Sequence, residues 1–236
     1  MANFPRSSKP ASDWTIQDLL SYRITTVDED EKTFFKKTTL RPPTCSLLRG
    51  FMSTPQSQDV ETAKMCHYFH LADKLTGGHE SAIDNFSVKM LEKLGYDTKK
   101  NPKINVSILA DDGRILLVQE NKIRGSTRNP LPQVVAEAIA AFGENNRILV
   151  ELGEHYRQSI TIPAITMQGT YPTFYKIKVT SKLAKAVRKG YYPVIQTTVH
   201  RHIPSLPIPS DPGMGQSLNR DHIMACLNAF KVFVED

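Results

Sequence analysis

Apolar positions along the chain follow two different periods, and their order predicts the elements. Ile83, Phe86, Met90, Leu91 and Leu94 fall on one face of a helix that Gly95 ends, as a C′ glycine does. Two strand-like runs follow, Ile104 to Ala110 and Arg114 to Glu120, with Asp112-Gly113 between them as a two-residue hairpin turn. Pro132 suits the first turn of a second helix through Val135, Ala138, Ile139 and Phe142. Farther on, Ser159 to Gln168, Thr173 to Thr180 and Tyr192 to His200 read as strands. Ser181 caps a short basic helix, Pro204 to Gly215 is a loop, and Leu218 to Val234 is a closing helix.

The first third is less regular. Residues 1–11 are polar, carry Pro5 and Pro10, and read as disordered. Ser12 or Asp13 could cap a short helix through Trp14, Ile16, Leu19 and Leu20, and Val60 to Leu75 is a second helical pattern. The organisation expected is a helical N-terminal extension over 12–78 and an α/β domain over 79–236. That domain has a mixed central sheet flanked by helices.

With Asp112-Gly113 as the turn, Leu109 faces Leu116, Ser107 faces Val118 and Asn105 faces Glu120. Side chains alternate along a strand, so Asn105, Glu120 and Lys122 share a face with Leu109, Leu116 and Val118. Charge on an apolar face is costly unless it does something there. Oxygen donors on adjacent strands can hold Mg²⁺, and a lysine two residues on can orient water or stabilise charge on a phosphate.

The run Lys103-Ile104-Asn105-Val106, followed by Leu117-Val118-Gln119-Glu120-Asn121-Lys122, resembles the core of the PD-(D/E)XK nuclease superfamily. It is also similar to uncharacterised fungal proteins built around the same hairpin. The resemblance covers 80–142 and implies a restriction-endonuclease-like core and Mg²⁺-dependent phosphodiester hydrolysis of nucleic acid. Glu120 and Lys122 match the family's Glu-x-Lys, Glu80 the acid of the preceding helix, and Gln133 or Glu137 the polar position of the following one. Asn105 stands where the family has aspartate, which removes a negative charge from the expected metal ligands Asn105, Glu120 and Glu80. Asp111 and Asp112 lie at the far turn and do not replace it. Two readings follow: a nuclease with a weakened metal site, or a non-catalytic module of the same fold that binds nucleic acid or a protein.

Charge adds a second feature. Across 236 residues the formal charge is +6, which favours an anionic partner. Lys176, Lys178, Lys182, Lys185, Arg188 and Lys189 cluster beside Phe174, Tyr175, Tyr191 and Tyr192, a combination suited to phosphates and stacked bases. His200 and His202, two apart on a strand, have a spacing that can chelate a metal but lack a nearby acidic or cysteine partner, and His67 and His70 lack the context of a zinc motif. Cys45, Cys66 and Cys226 form no CxxC pair, and neither a signal peptide nor a membrane-spanning run is present. An intracellular location, cytoplasmic or nuclear, is expected, with no membrane partner.

Overall fold

The computed structural model of the chain describes residues 9–43, 60–74, 79–96 and 106–234. Six strands, β1 (Ile24–Asp28), β2 (Val106–Leu109), β3 (Ile115–Lys122), β4 (Ser159–Gln168), β5 (Tyr171–Thr180) and β6 (Thr197–His202), form one sheet in the order β1-β6-β5-β4-β3-β2. The pairs β3–β4 and β1–β6 are parallel and the others antiparallel. The helices are α1 (Ile16–Ser21), α2 (Glu31–Phe35), α3 (Val60–Ala72), α4 (Glu80–Lys93), α5 (Leu131–Glu151), α6 (Ser181–Lys189) and α7 (Ser217–Phe230). Residues of α1, α5 and α6 bury one face of the sheet through Leu19, Val134, Phe142 and Leu183. Residues of α2, α3, α4 and α7 bury the other through Phe34, Phe69, Phe86 and Phe230. The architecture is α/β, a mixed sheet flanked by helices, as the order of periods predicts. No helix among the described residues is long and apolar enough to cross a membrane.

The hairpin needs a correction. Gly113 N–H donates to Ala110 O (2.9 Å) and Ala110 N–H to Arg114 O (2.8 Å), so the loop is three residues, Asp111-Asp112-Gly113, rather than two. Gly113 takes φ +89°, which an L side chain adopts only with strain. Leu109 consequently pairs with Ile115, and a bulge restores the expected register at Ile108–Leu117 and Ser107–Val118. Leu116 is thereby carried to the α4 face, whereas Val118 stays on the α5 face. Position 105 lies outside the described residues.

The expected helical extension is also corrected. Ile24-Thr25-Thr26-Val27, an uninterrupted β-branched run, forms strand β1 and pairs with β6. Phe34 and Phe35 just beyond it are wholly buried in the main core. The helix before it is capped by Thr15 with Asp18 in a capping box, not by Ser12 or Asp13. Of the segment expected to be disordered, residues 1–8 lie outside the described residues, and Ala11–Asp13 is a 3₁₀ turn. Helix α5 runs past Phe142 to Glu151, since buried Leu149 prolongs its apolar stripe. Strand β6 begins only at Thr197, beyond Pro193, which has no N–H for a ladder.

Asn145 of α5 couples helix to sheet. Ile115 sits at the start of β3, before the β3–β4 ladder begins at Val118. Asn145 fills the gap: its Oδ1 accepts from Ile115 N–H (2.6 Å) and its Nδ2 donates to Ile115 O (2.8 Å), both buried. Replacing it leaves two buried backbone groups unpaired. Asn145→Ala is expected to lower unfolding stability by about 2–4 kcal/mol in urea titrations, with the same slope against denaturant.

Candidate functional site

Strands β3, β4, β6 and β1 run in the same direction, so their C-terminal ends share one edge of the sheet, the edge where open α/β sheets bind ligands. The last four residues of β3 are all polar and all buried: Gln119, Glu120, Asn121 and Lys122 are at most 4% exposed. Such a run is costly to bury and needs internal partners. On the α4 face, Gln119 Nε2 donates to Asn121 Oδ1 (2.9 Å), and Asn121 Nδ2 donates to Asp84 Oδ1 (2.6 Å).

The α5 face holds the charges. The ammonium of Lys122 is paired with the Glu120 carboxylate and lies 3.6 Å from Glu80 Oε1. Glu80 opens α4, and its half-exposed side chain is the solvent-facing member of the group. From the first turn of α5, Gln133 Nε2 donates to Glu120 Oε2 (2.7 Å) and to Glu137 Oε1 (3.1 Å), bridging the two carboxylates. Gln133 and Glu137 are one helical turn apart, so both reach the same spot over β3. Glu80, Glu120, Lys122, Gln133 and Glu137 therefore converge.

Three carboxylates surround one ammonium. Burial and the neighbouring Glu120 charge push the Glu137 carboxyl up to about 8, with Gln133 and Lys122 opposing. Glu137 Oε2 is buried without a hydrogen-bond partner. The site accordingly lacks positive charge, and the acid furthest from Lys122 along the hydrogen-bonded series absorbs the deficit by holding a proton. Across the β3–β4 ladder, Thr166 pairs with Glu120, and its hydroxyl lies 3.3 Å from the buried Tyr175 hydroxyl. Thr166 does not stand out in the sequence, because only the ladder register brings it beside Glu120, and Tyr175 stands out there only as an aromatic of the basic cluster.

Compared with protein-family models, curated proteins and solved structures, the chain matches none.

The basic cluster divides. Lys182, Lys185, Arg188 and Lys189 project from α6 and, with Lys178, are exposed; Tyr191 and Tyr192 follow at 61% and 54% exposure. Lys176 is instead tied to Glu29 (3.3 Å) and lies over the Phe34 ring, and Phe174 and Tyr175 are buried in the cores, so these three are not open to a ligand. Thr180, which caps α6, pairs with Ser159, seven positions along β4 from Thr166. At the usual strand rise the basic helix is about 23 Å from the acidic site. His200 and His202 each bond Glu29 through Nδ1, His200 to the carboxylate and His202 to the backbone carbonyl.

The Glu137 proton makes stability depend on pH. Its ordinary value is 4.5, so between about 4.5 and 8 the folded chain holds a proton that the unfolded chain has released, and stability falls as pH rises through that window. Glu137→Gln keeps the shape and removes the titration. The variant is expected to flatten the decline and to melt about 2–4 °C or more above the parent at pH 9, measured by thermal unfolding across pH.

Proposed function

We propose that the chain is a nuclease-fold protein whose carboxylate cluster acts on phosphodiesters of nucleic acid. The observation that supports this most is the convergence of Glu80, Glu120, Gln133 and Glu137 on Lys122 at the C-terminal edge of the sheet. Glu80, Glu120 and Lys122 match the acid and the Glu-x-Lys of the PD-(D/E)XK pattern, and Gln133 or Glu137 matches its polar position on the following helix.

The donor set fits Mg²⁺: hard carboxylate oxygens, an excess of negative charge, and the orphaned Glu137 Oε2. Glu120 and Glu137 would hold the ion, with Glu80 on the solvent-facing side. On giving up its proton to the ion, Glu137 would supply the negative charge that Asn105, standing where the family has aspartate, withholds. When bound, Mg²⁺ would polarise a phosphoryl oxygen and acidify a water. Gln133 fixes both carboxylates in one orientation. Lys122, held between Glu120 and Glu80, would present its ammonium to the non-bridging phosphate oxygens. The exposed basic face of α6 lies on the same side of the sheet as α5, a span of about seven base pairs at 3.4 Å per step. It would anchor the phosphate backbone while the acidic site acts.

A second reading rests on burial. Glu120 and Lys122 are paired with each other and have almost no exposure, which suits a retained fold that binds without cleaving. The two readings separate on labelled DNA and RNA with Mg²⁺ or Mn²⁺. The first expects cleavage that falls about 100-fold or more in Glu120→Gln, Glu137→Gln and Lys122→Met. Salt-dependent binding without cleavage supports the second. Cleavage undiminished in all three variants removes the assigned site. In either reading, replacing Lys182, Lys185, Arg188 and Lys189 with Ala is expected to reduce the slope of log affinity against log salt by roughly 0.9 for each phosphate no longer neutralised.

A further inference from the structure

On the opposite face of the sheet, α2 and α7 bring together three donors that the carboxylate cluster does not use. His222 and Cys226, one turn apart on α7, face Glu31 in the first turn of α2. A ligand atom from each lies within 4.8 Å of the other two. His222 Nε2 is 3.3 Å from Glu31 Oε2 and 3.9 Å from Cys226 Sγ. A single ring nitrogen cannot serve both as an ordinary hydrogen-bond donor, and 3.3 Å is long for a charge-assisted bond, which closes to about 2.7–2.9 Å. The 3.3 Å separation matches two ligands of one tetrahedral ion, and the 3.9 Å separation needs an inward shift of about 0.3 Å to do so. Bonds of about 2.0–2.1 Å to nitrogen or oxygen and 2.3 Å to sulfur place such ligands roughly 3.4–3.6 Å apart.

An independent observation comes from His202. It lines the same cavity, about 270 Å³, as Glu31 and His222. The residue is 4% exposed, its ring is stacked against Phe34, and its Nδ1 bonds the Glu29 carbonyl (2.9 Å). That bond requires Nδ1–H, so Nε2 carries the lone pair, and Nε2 is buried with no partner. A histidine whose other nitrogen donates to a backbone carbonyl, leaving a bare Nε2, is oriented as metal-binding histidines are. Glu31 and His222 are both close enough to influence its charge.

We propose that Glu31, His222 and Cys226 form a binding site for a thiophilic divalent ion of the Zn²⁺ class, with His202 lining the same cavity beside it. A mixed sulfur, nitrogen and carboxylate set selects such an ion over Mg²⁺. The site would join the segment following edge strand β1 to the C-terminal helix. It is independent of the carboxylate cluster around Glu120, which offers no sulfur.

Titration of the full chain with Co²⁺ under reducing conditions tests it. One equivalent is expected to produce sulfur-to-cobalt charge-transfer absorption that Zn²⁺ then abolishes, and Zn²⁺ should raise the melting temperature. Cys226→Ser is expected to lose the absorption and Cys66→Ser to keep it. Glu31→Gln, at a partly exposed position that folding tolerates, should weaken Zn²⁺ binding about tenfold or more, as should His202→Phe, which preserves the ring stack. No sulfur-to-cobalt absorption in the parent chain, or absorption that survives Cys226→Ser, overturns the proposal.

Discussion

A buried pair of Glu120 and Lys122 persists only if something on each side excludes water and something else satisfies the remaining oxygens and protons. Strand β3 meets both conditions because helices cover both of its faces, α4 on one and α5 on the other. The first turn of α5 must then begin where Gln133 and Glu137 overhang the strand end. Its approach is fixed by Arg124, which follows β3 and grips Asp73 at the end of α3 (3.1 Å) and Asp211 in the proline-rich loop (2.6 Å). Thr170 adds a hydroxyl bond to the same Asp73 (2.9 Å), and Gly213 packs so closely that a Cβ there would lie 2.6 Å from that hydroxyl. The loop joining β4 to β5, the end of α3 and the segment before α7 therefore share one polar knot beside the site.

The charge of the whole molecule and that of the cluster around Glu120 have opposite signs. Four of the chain's basic residues, Lys182, Lys185, Arg188 and Lys189, stand together on α6, about 23 Å from three carboxylates served by one ammonium. Bulk charge reports on where a polyanion would settle, whereas local burial governs which proton or cation the carboxylate cluster holds. The two are coupled only through the α5 face of the sheet, along which both lie.

Local periodicity made α4, the hairpin and the start of α5 legible, and strand alternation singled out Glu120 and Lys122, whereas Glu80 and Gln133 were picked out only by the resemblance to a nuclease core. The register at Ser107–Val118 was legible even though the turn is longer than the sequence suggests, because one bulge cancels one added loop residue. What was illegible depends on distant pairing. Strand β1 was hidden by the acidic run that follows it, although its four β-branched residues carried the signal. The state of Glu137 depends on how near a helix brings it to Glu120. The meeting of Glu31 with His222 and Cys226 joins opposite ends of the chain through the packing of α2 on α7, which no local pattern encodes.

The pairing of β1 with β6 has a kinetic meaning. Ile24 meets Thr197 across 173 positions of chain, whereas β2 meets β3 through a three-residue loop. Loop closure over the longer distance carries an entropic cost that only completed structure can offset, so the sheet grows outward from its local hairpins and gains β1 late. During synthesis, β1 emerges before β6 and stays without its ladder partner until β6 has been made. A helper that shields the nascent N-terminal strand would speed folding more than one that acts on the hairpin.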